Sequence, residues 1–262
     1  MILVTGASGF VGGKLMEMCK DVIPCPSLKG LDEDGIRRII EESPADIIVH
    51  TAAISDIGEC ERHPEDSYIA NVQIPVYIAK YAKGKKLICF SSDQVYSGGK
   101  GDTPFTEEMV CPSNLYSRHK LEMEHRVLDI DPNAVMLRAE WMYDYYLKKS
   151  NYFMGILNAT GSLCYSSQQY RGVTYVKEVA QSIERFASLP GGAYNFGSET
   201  TKSMYEITKE FLASIGKDLS LTDVPGGNNL WMNCEKARLY GVDFSSVEDG
   251  LIKCAKDYGL IK

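Results

Sequence analysis

The sequence predicts an α/β protein: a doubly wound parallel sheet followed by a small, mainly helical C-terminal lobe. Three observations predict it. Short apolar runs alternate with helical periodicity as far as Arg138. A glycine-rich turn separates the first apolar run from the first helical pattern. After residue 145 the alternation breaks, and helical patterns dominate the remainder.

The elements follow in order. Ile2 to Thr5 reads as a buried parallel strand, and Gly6-Ala7-Ser8-Gly9-Phe10-Val11-Gly12 leads into a helix reaching about Cys19. Asp21 to Pro24 is a second strand, and Glu33 to Glu42 a helix with Ile36, Ile39 and Ile40 on one face. Ala45 to His50 is the third strand, Asp66 to Ala82 one helix, and Lys86 to Ser91 the fourth strand. Asn114 to Leu128 is helical, and Ala134 to Arg138 is the fifth strand. Beyond a tyrosine-rich stretch (Tyr143, Tyr145, Tyr146, Tyr152), a helix at Lys177–Ser188 and a strand at Ala193–Phe196 rejoin the sheet. Ser203–Ile215, Cys234–Tyr240 and Ser246–Asp257 read as helices of the lobe. The expected division is 1–145 with 175–197, and 146–174 with 198–262.

Composition narrows the function classes. The 262 residues carry a net charge of −7, which disfavours bulk nucleic-acid binding, since that rests on neutralised phosphates. A small anionic ligand stays open, because a few backbone N–H groups hold a phosphate locally. The eight cysteines include no Cys-x-x-Cys pair, and no secretory signal precedes them, so they read as free thiols in a reducing cytoplasm. The four histidines form no metal-ligand spacing with them, and no apolar run approaches a membrane span. Neither a metal nor a membrane partner is expected.

Gly6, Gly9 and Gly12 have the spacing G-x-x-G-x-x-G directly between a strand and a helix. Glycine suits a backbone that turns sharply and approaches a pyrophosphate on the helix N-terminus, so a dinucleotide site is expected there, with Ser8, Phe10 and Val11 in the same turn. This makes the domain Rossmann-like. Tyr116 and Lys120 stand four residues apart, on one helix face. A nearby ammonium and an oxidised nicotinamide would both lower a phenol's pKa. The spacing alone selects nothing, because Tyr81/Lys85, Tyr96/Lys100, Tyr145/Lys149, Tyr205/Lys209 and Tyr258/Lys262 share it. Position selects Tyr116, which opens a helix after the fourth strand, at the carboxyl edge where parallel sheets bind ligands. Ser92 ends that strand and can donate to a carbonyl oxygen while Tyr116 supplies its proton. Small residues Ala52 and Ala53 after the third strand let a cofactor lie across the edge. His50 reads as a packed strand-end histidine rather than a catalyst. Asn71 either supports Lys120 through a water or is a polar helix residue; it is grouped with the cofactor residues.

These residues resemble the extended short-chain dehydrogenase/reductases, and most closely the dTDP-4-dehydrorhamnose reductase family. The resemblance spans most of the chain: the glycine turn, Asp46–Ala53, Ser91-Ser-Asp-Gln-Val-Tyr96, Pro112–Lys120, Arg138-Ala-Glu-Trp-Met-Tyr143 and Gln169–Thr174. It implies Ser92, Tyr116 and Lys120 as the catalytic set, with Asp93, Gln94, Trp141 and Arg171 toward the substrate. It implies hydride transfer from reduced nicotinamide to the ketone of a keto-sugar nucleotide, and it allows a homodimer. Sugar-nucleotide dehydratases of the superfamily look like Ser-Thr-Asp-Glu-Val-Tyr here; Gln94 cannot serve as their base.

The chain departs from the family in three places. No carboxylate follows the second strand, where Ser27 and Lys29 stand instead and could meet a 2′-phosphate. NADP(H) is therefore preferred over NAD(H). Arg171-Gly172-Val173 replaces a Gly-x-Pro, and Gly226-Gly227-Asn228-Asn229 stands where an Arg-Pro is usual. Two alternatives accordingly stand beside the reductase: a sugar-nucleotide epimerase, and a non-catalytic NADP-binding regulatory subunit.

Overall fold

The computed structural model describes residues 1–100, 103–145 and 151–262; Tyr146 and Lys149 lie outside them. The first half alternates as its periodicity requires. Strand β1 (Ile2–Thr5) leads through the glycine turn into helix α1 (Phe10–Met18), then β2 (Val22–Pro24), α2 (Glu33–Glu42) and β3 (Ile47–His50). Asp32 caps α2 by accepting from the Gly35 N–H at 2.9 Å, which turns Ile36 and Ile40 inward.

The stretch expected as one helix at Asp66–Ala82 is continuous but not α-helical throughout. After α3 (Ile57–Arg62) come α4 (Pro64–Tyr68), a π-helical turn at Ile69–Gln73, and α5 (Ile74–Tyr81). In the π turn the Ile74 N–H bonds the Ile69 carbonyl, five residues back, so one extra residue is inserted before Pro75. Strand β4 (Lys86–Ser92), a 3₁₀ turn at Asp93–Tyr96, α6 (Leu115–Ile130) and β5 (Val135–Ala139) follow. Then come β6 (Trp141–Tyr143), α7 (Tyr152–Asn158), β7 (Leu163–Tyr165), β8 (Val173–Tyr175), α8 (Val176–Gln181) and α9 (Ile183–Ser188). The single helix expected at Lys177–Ser188 is thus broken at Ser182, which leaves helical geometry with ψ near 1°. The last elements are β9 (Gly192–Phe196), α10 (Met204–Ser214), β10 (Leu221–Asp223), α11 (Glu235–Arg238) and α12 (Val247–Asp257).

The main sheet runs β2-β1-β3-β4-β5-β9. β1 pairs in parallel with β2 on one side and β3 on the other, and β3 with β4, so Thr5 faces His50 and His50 faces Cys89. The strand order reverses between β1 and β3. At such a switch point the loops leaving the carboxyl ends diverge and open a crevice for a ligand. The glycine turn, Ala52–Ala53 and Ser92 all leave from that edge. One face of the sheet buries Leu3, Ile48, Leu87 and Met136 against Ile36, Ile78 and Val127 of the covering helices.

The chain divides into two compact units: residues 1–99, 109–138 and 180–194 in one, and 100–108, 139–179 and 195–262 in the other. The second unit has its own aromatic core, in which Tyr143 stacks on Phe153 and Tyr175 at 5.7 and 5.8 Å. Besides helices it contains two parallel two-stranded ribbons, β6 with β8 and β7 with β10. All eight cysteines are free thiols. Among the described residues no helix is long and apolar enough to cross a membrane.

Two glycines of the first turn are sterically required. Gly6 has φ of 66°, and a Cβ there would stand 2.9 Å from the Ala52 nitrogen. A Cβ on Gly12 would overlap the Gly6 carbonyl. Gly12→Ala is therefore expected to cost about 1–3 kcal/mol, read as a lower urea midpoint. An unchanged midpoint would mean that the turn yields without cost.

Candidate active site

Helix α6 carries the first two residues of the site, and its start is heavily specified. Asn114 accepts from the Ser117 N–H at 2.8 Å, and the Ser117 hydroxyl accepts from the Asn114 N–H at 3.1 Å. Glu61, from α3, accepts the Leu115 N–H at 2.8 Å, a further donor of the first turn. Gln94 holds the cap from a third side, its carbonyl accepting from the Asn114 amide at 3.3 Å. Tyr116 is thereby set at the first turn, facing the end of β4.

The Ser92 hydroxyl stands close enough to the Tyr116 phenol to pull its pKa down. The Ser92 hydroxyl also accepts the Gln94 N–H at 3.2 Å and donates to Asp93 at 3.1 Å. Lys120 is 2% exposed, donates to the Phe90 carbonyl at 2.7 Å, and lies 5.9 Å from the centre of the Tyr116 ring. Ser92, Tyr116 and Lys120 thus converge, with Asp93 and Gln94 beside them. Burial raises the Tyr116 pKa, and the Ser92 hydroxyl only partly opposes it. Burial pulls Lys120 down to about 8, against the raising influence of Cys89 and Glu124.

His50 stands deeper in the same unit. It is buried, its Nδ1 lies 2.8 Å from the Thr5 hydroxyl, and burial with the Lys120 charge brings it down to about 3. A neutral, strand-end histidine is what results. Asn71, in the π turn, is fully buried. Its amide donates to the Ile54 carbonyl at 3.0 Å and accepts the Ile54 N–H at 3.2 Å, so it shapes the loop after β3. Those bonds, and one to Ser67, occupy the side chain directly.

The glycine turn fits a phosphate ligand. Gly9 caps α1 without a side-chain bond, no acid lies in the first helical turn, and Ser8 and Gly9 are exposed. Phe10, Val11 and Gly12 supply the first-turn amides. Ala52 is half-buried and Ala53 exposed beyond β3. Ser27 and Lys29 are exposed after β2, with the Lys29 N–H donating to the Ser27 hydroxyl at 3.4 Å. The remaining two expected residues belong to the second unit. Trp141 is 47% exposed, and the buried Arg171 guanidinium sits 3.7 Å from its ring centre.

Sequence reasoning missed the ion pair that anchors α6. Glu124 is buried and receives Arg138 Nε at 3.0 and 3.1 Å, Arg138 Nη2 at 2.7 Å and the Ser91 hydroxyl at 2.5 Å. Arg138 also donates to the Tyr96 phenol at 2.8 Å. The available signal was the spacing Tyr116, Lys120, Glu124, which places all three on one helix face.

Comparison with known proteins adds the family. The pattern of the RmlD substrate binding domain family matches residues 1–225. The chain is 27% identical to methionine adenosyltransferase 2 subunit beta of Danio rerio, over 94% of this chain and 86% of that one. It is 32% identical to dTDP-4-dehydrorhamnose reductase of Mycolicibacterium smegmatis, over 54% of this chain and 46% of that one. The structure matches the crystal structure of dTDP-4-dehydrorhamnose reductase from Bacillus anthracis in complex with NADP. The TM-score is 0.86 at 21% identity, over 98% of both chains.

Removing one member of a buried pair leaves the other charge uncompensated. Glu124→Ala is expected to lower unfolding free energy in urea by about 3–5 kcal/mol. A loss below about 1 kcal/mol would contradict the anchoring role.

Proposed function

The chain belongs to the RmlD substrate binding domain family, and on that premise we propose that it is an NADPH-dependent reductase of a keto-sugar nucleotide. The observation that carries the reading is the convergence of Tyr116, Ser92 and Lys120 beside the carboxyl edge of the sheet. In this proposal the first unit binds the cofactor and the second the sugar nucleotide.

The turn Gly6–Gly12 would hold the pyrophosphate on the α1 amides, with Ser27 and Lys29 toward the 2′-phosphate and Ala52, Ala53 and Lys120 toward the remainder. When bound, the reduced cofactor supplies a hydride to the ketone carbon. Burial keeps Tyr116 protonated at neutral pH, which is the state a proton donor needs. Ser92 turns its hydroxyl from Asp93 to the ketone oxygen, and the Tyr116 proton passes to that oxygen as charge develops there. The phenolate left on Tyr116 is offset by the Lys120 ammonium. Trp141 and Arg171 are the proposed sugar contacts of the second unit.

Tyr116→Phe removes the transferable proton and little else. It is expected to lower NADPH oxidation with a productive keto-sugar nucleotide by at least about a hundredfold, with the NADPH dissociation constant within about twofold of wild type. Equal turnover in the variant would overturn the assignment.

The pH dependence follows from Lys120. Its folded pKa is lowered to about 8, so the ammonium is present below that value and lost above it. Reduction is expected to be flat from about pH 6 to about pH 8 and to fall above. Lys120→Met should abolish that limb along with most activity. A rate that rises through pH 8 would contradict the role given to the ammonium.

A second reading is favoured by one observation: the Danio rerio relative, a beta subunit by its name, aligns over nearly the whole chain. Here the protein binds NADPH without turning over. NADPH binding by titration, with no oxidation across a panel of keto-sugar nucleotides, would select this reading over the reductase.

A further inference from the structure

We propose that His119 is a positioning residue for the cofactor edge, acting through Ser67 and Asn71 on the backbone at Ile54. The inference rests on the reading of the first unit as the cofactor-binding unit. His119 lies on α6 between Tyr116 and Lys120 and is buried. Its Nδ1 is 2.9 Å from the Ser67 hydroxyl of α4. Asn71 donates to the same hydroxyl at 3.2 Å and clasps Ile54 through both its N–H and its carbonyl. Ile54 follows Ala52 and Ala53 directly. One chain of hydrogen bonds therefore joins the helix bearing Tyr116 and Lys120 to the loop expected to support the cofactor.

The Asn71 bonds have defined directions. Asn71 has its amide nitrogen toward the Ile54 carbonyl and its oxygen toward the Ile54 N–H, so the amide cannot flip without losing both. Its nitrogen then donates to Ser67, and Ser67 has its own hydrogen left to give. The relay we propose has Nδ1 of His119 accept it, with His119 neutral and its proton on Nε2. A protonated His119 would instead offer an N–H to a Ser67 oxygen already receiving Asn71. The serine hydrogen would lose its acceptor, and the Asn71–Ser67 bond would weaken with it. The Tyr68 ring packs against the imidazole at 76°, with the ring centres 5.5 Å apart.

The groups around His119 do not neutralise this sensitivity. Burial lowers its pKa; Glu122 and Glu61 raise it, and Arg118 lowers it. Glu122 is engaged by the Tyr68 phenol at 3.1 Å and by Arg126 at 3.3 Å, while Arg126 also donates to that phenol at 2.6 Å. Glu61 is engaged by the Leu115 N–H. The Cys60 thiol donates to the Ile54 carbonyl at 3.4 Å, on the far side of the relay. His119 is thus neutral near neutral pH and gains its proton as pH falls below the ordinary histidine value.

The experiment follows the His119 ring and the Ile54 amide by NMR in the full ¹⁵N-labelled chain between about pH 8 and about pH 5, with NADPH titrated at both ends. The Ile54 amide is expected to shift with the midpoint of His119, and NADPH affinity to fall about fivefold over the same range. His119→Asn keeps an acceptor for Ser67 but no titratable ring. It should hold near-wild-type NADPH affinity at neutral pH and flatten both responses. His119→Leu should displace the Ile54 amide at every pH and weaken NADPH about fivefold at neutral pH. An Ile54 amide blind to His119 titration, or a wild-type pH profile in His119→Asn, would overturn the relay whether or not the Leu variant folds. If NADPH fails to bind wild type at any pH, the cofactor reading falls and the claim on the cofactor edge with it. The Ile54 titration still decides the hydrogen-bond relay in that case.

Discussion

Glu124 stands one helical turn beyond Lys120, where Arg138 of β5 and Ser91 of β4 bond both its oxygens in the interior of the first unit. Two charges taken out of water cost several kcal/mol each, and that cost is offset only when geometry and hydrogen bonding are nearly complete. Here the guanidinium meets both carboxylate oxygens, the serine fills a further position, and Tyr96 takes another N–H of Arg138. The pairing tolerates little rotation or sliding of α6. Because Tyr116, Lys120 and Glu124 share one face, fixing the last orients the other two toward the end of β4. The capping bonds from Asn114, Gln94 and Glu61 fix the same helix at its start.

Burial then decides the protonation states. It brings His50 to about 3, keeps Tyr116 a phenol, and lowers Lys120 to about 8. Glu124 and Cys89 oppose the fall of Lys120 and leave it cationic at neutral pH. A neutral acid beside a cation is suited to giving up a proton as negative charge forms nearby, since the charge left behind is already balanced. The second unit contributes a different chemistry, an exposed indole against a buried guanidinium.

The parts legible in the sequence are those whose partners lie close along the chain. Gly6, Gly9 and Gly12 declare themselves because the strand before and the helix after are adjacent. Tyr116 and Lys120 do so through helical spacing and their place after β4. The Glu124–Arg138 pair joins separate elements, and the His119–Ser67 bond joins residues 52 positions apart, so no local pattern marks either. The ribbons β6/β8 and β7/β10 escaped notice because three-residue strands have no measurable alternation. The helix read through Asp66–Ala82 is continuous in the structure, but the sequence did not mark the π turn within it, which inserts one residue and leaves Ile69 exposed. The raised pKa of Tyr116 was not legible either, because spacing reveals a neighbouring charge but not the depth of burial.

The most direct test of the reductase account is the fate of the transferred hydrogen. The protein would be incubated with NADPH deuterated at the transferring position of C4 and with a keto-sugar nucleotide, and the sugar product analysed by mass spectrometry. The account predicts an alcohol carrying one deuterium on the former carbonyl carbon. Tightly bound NADPH that retains all its deuterium, with the ketone unchanged across the substrate panel, would contradict it.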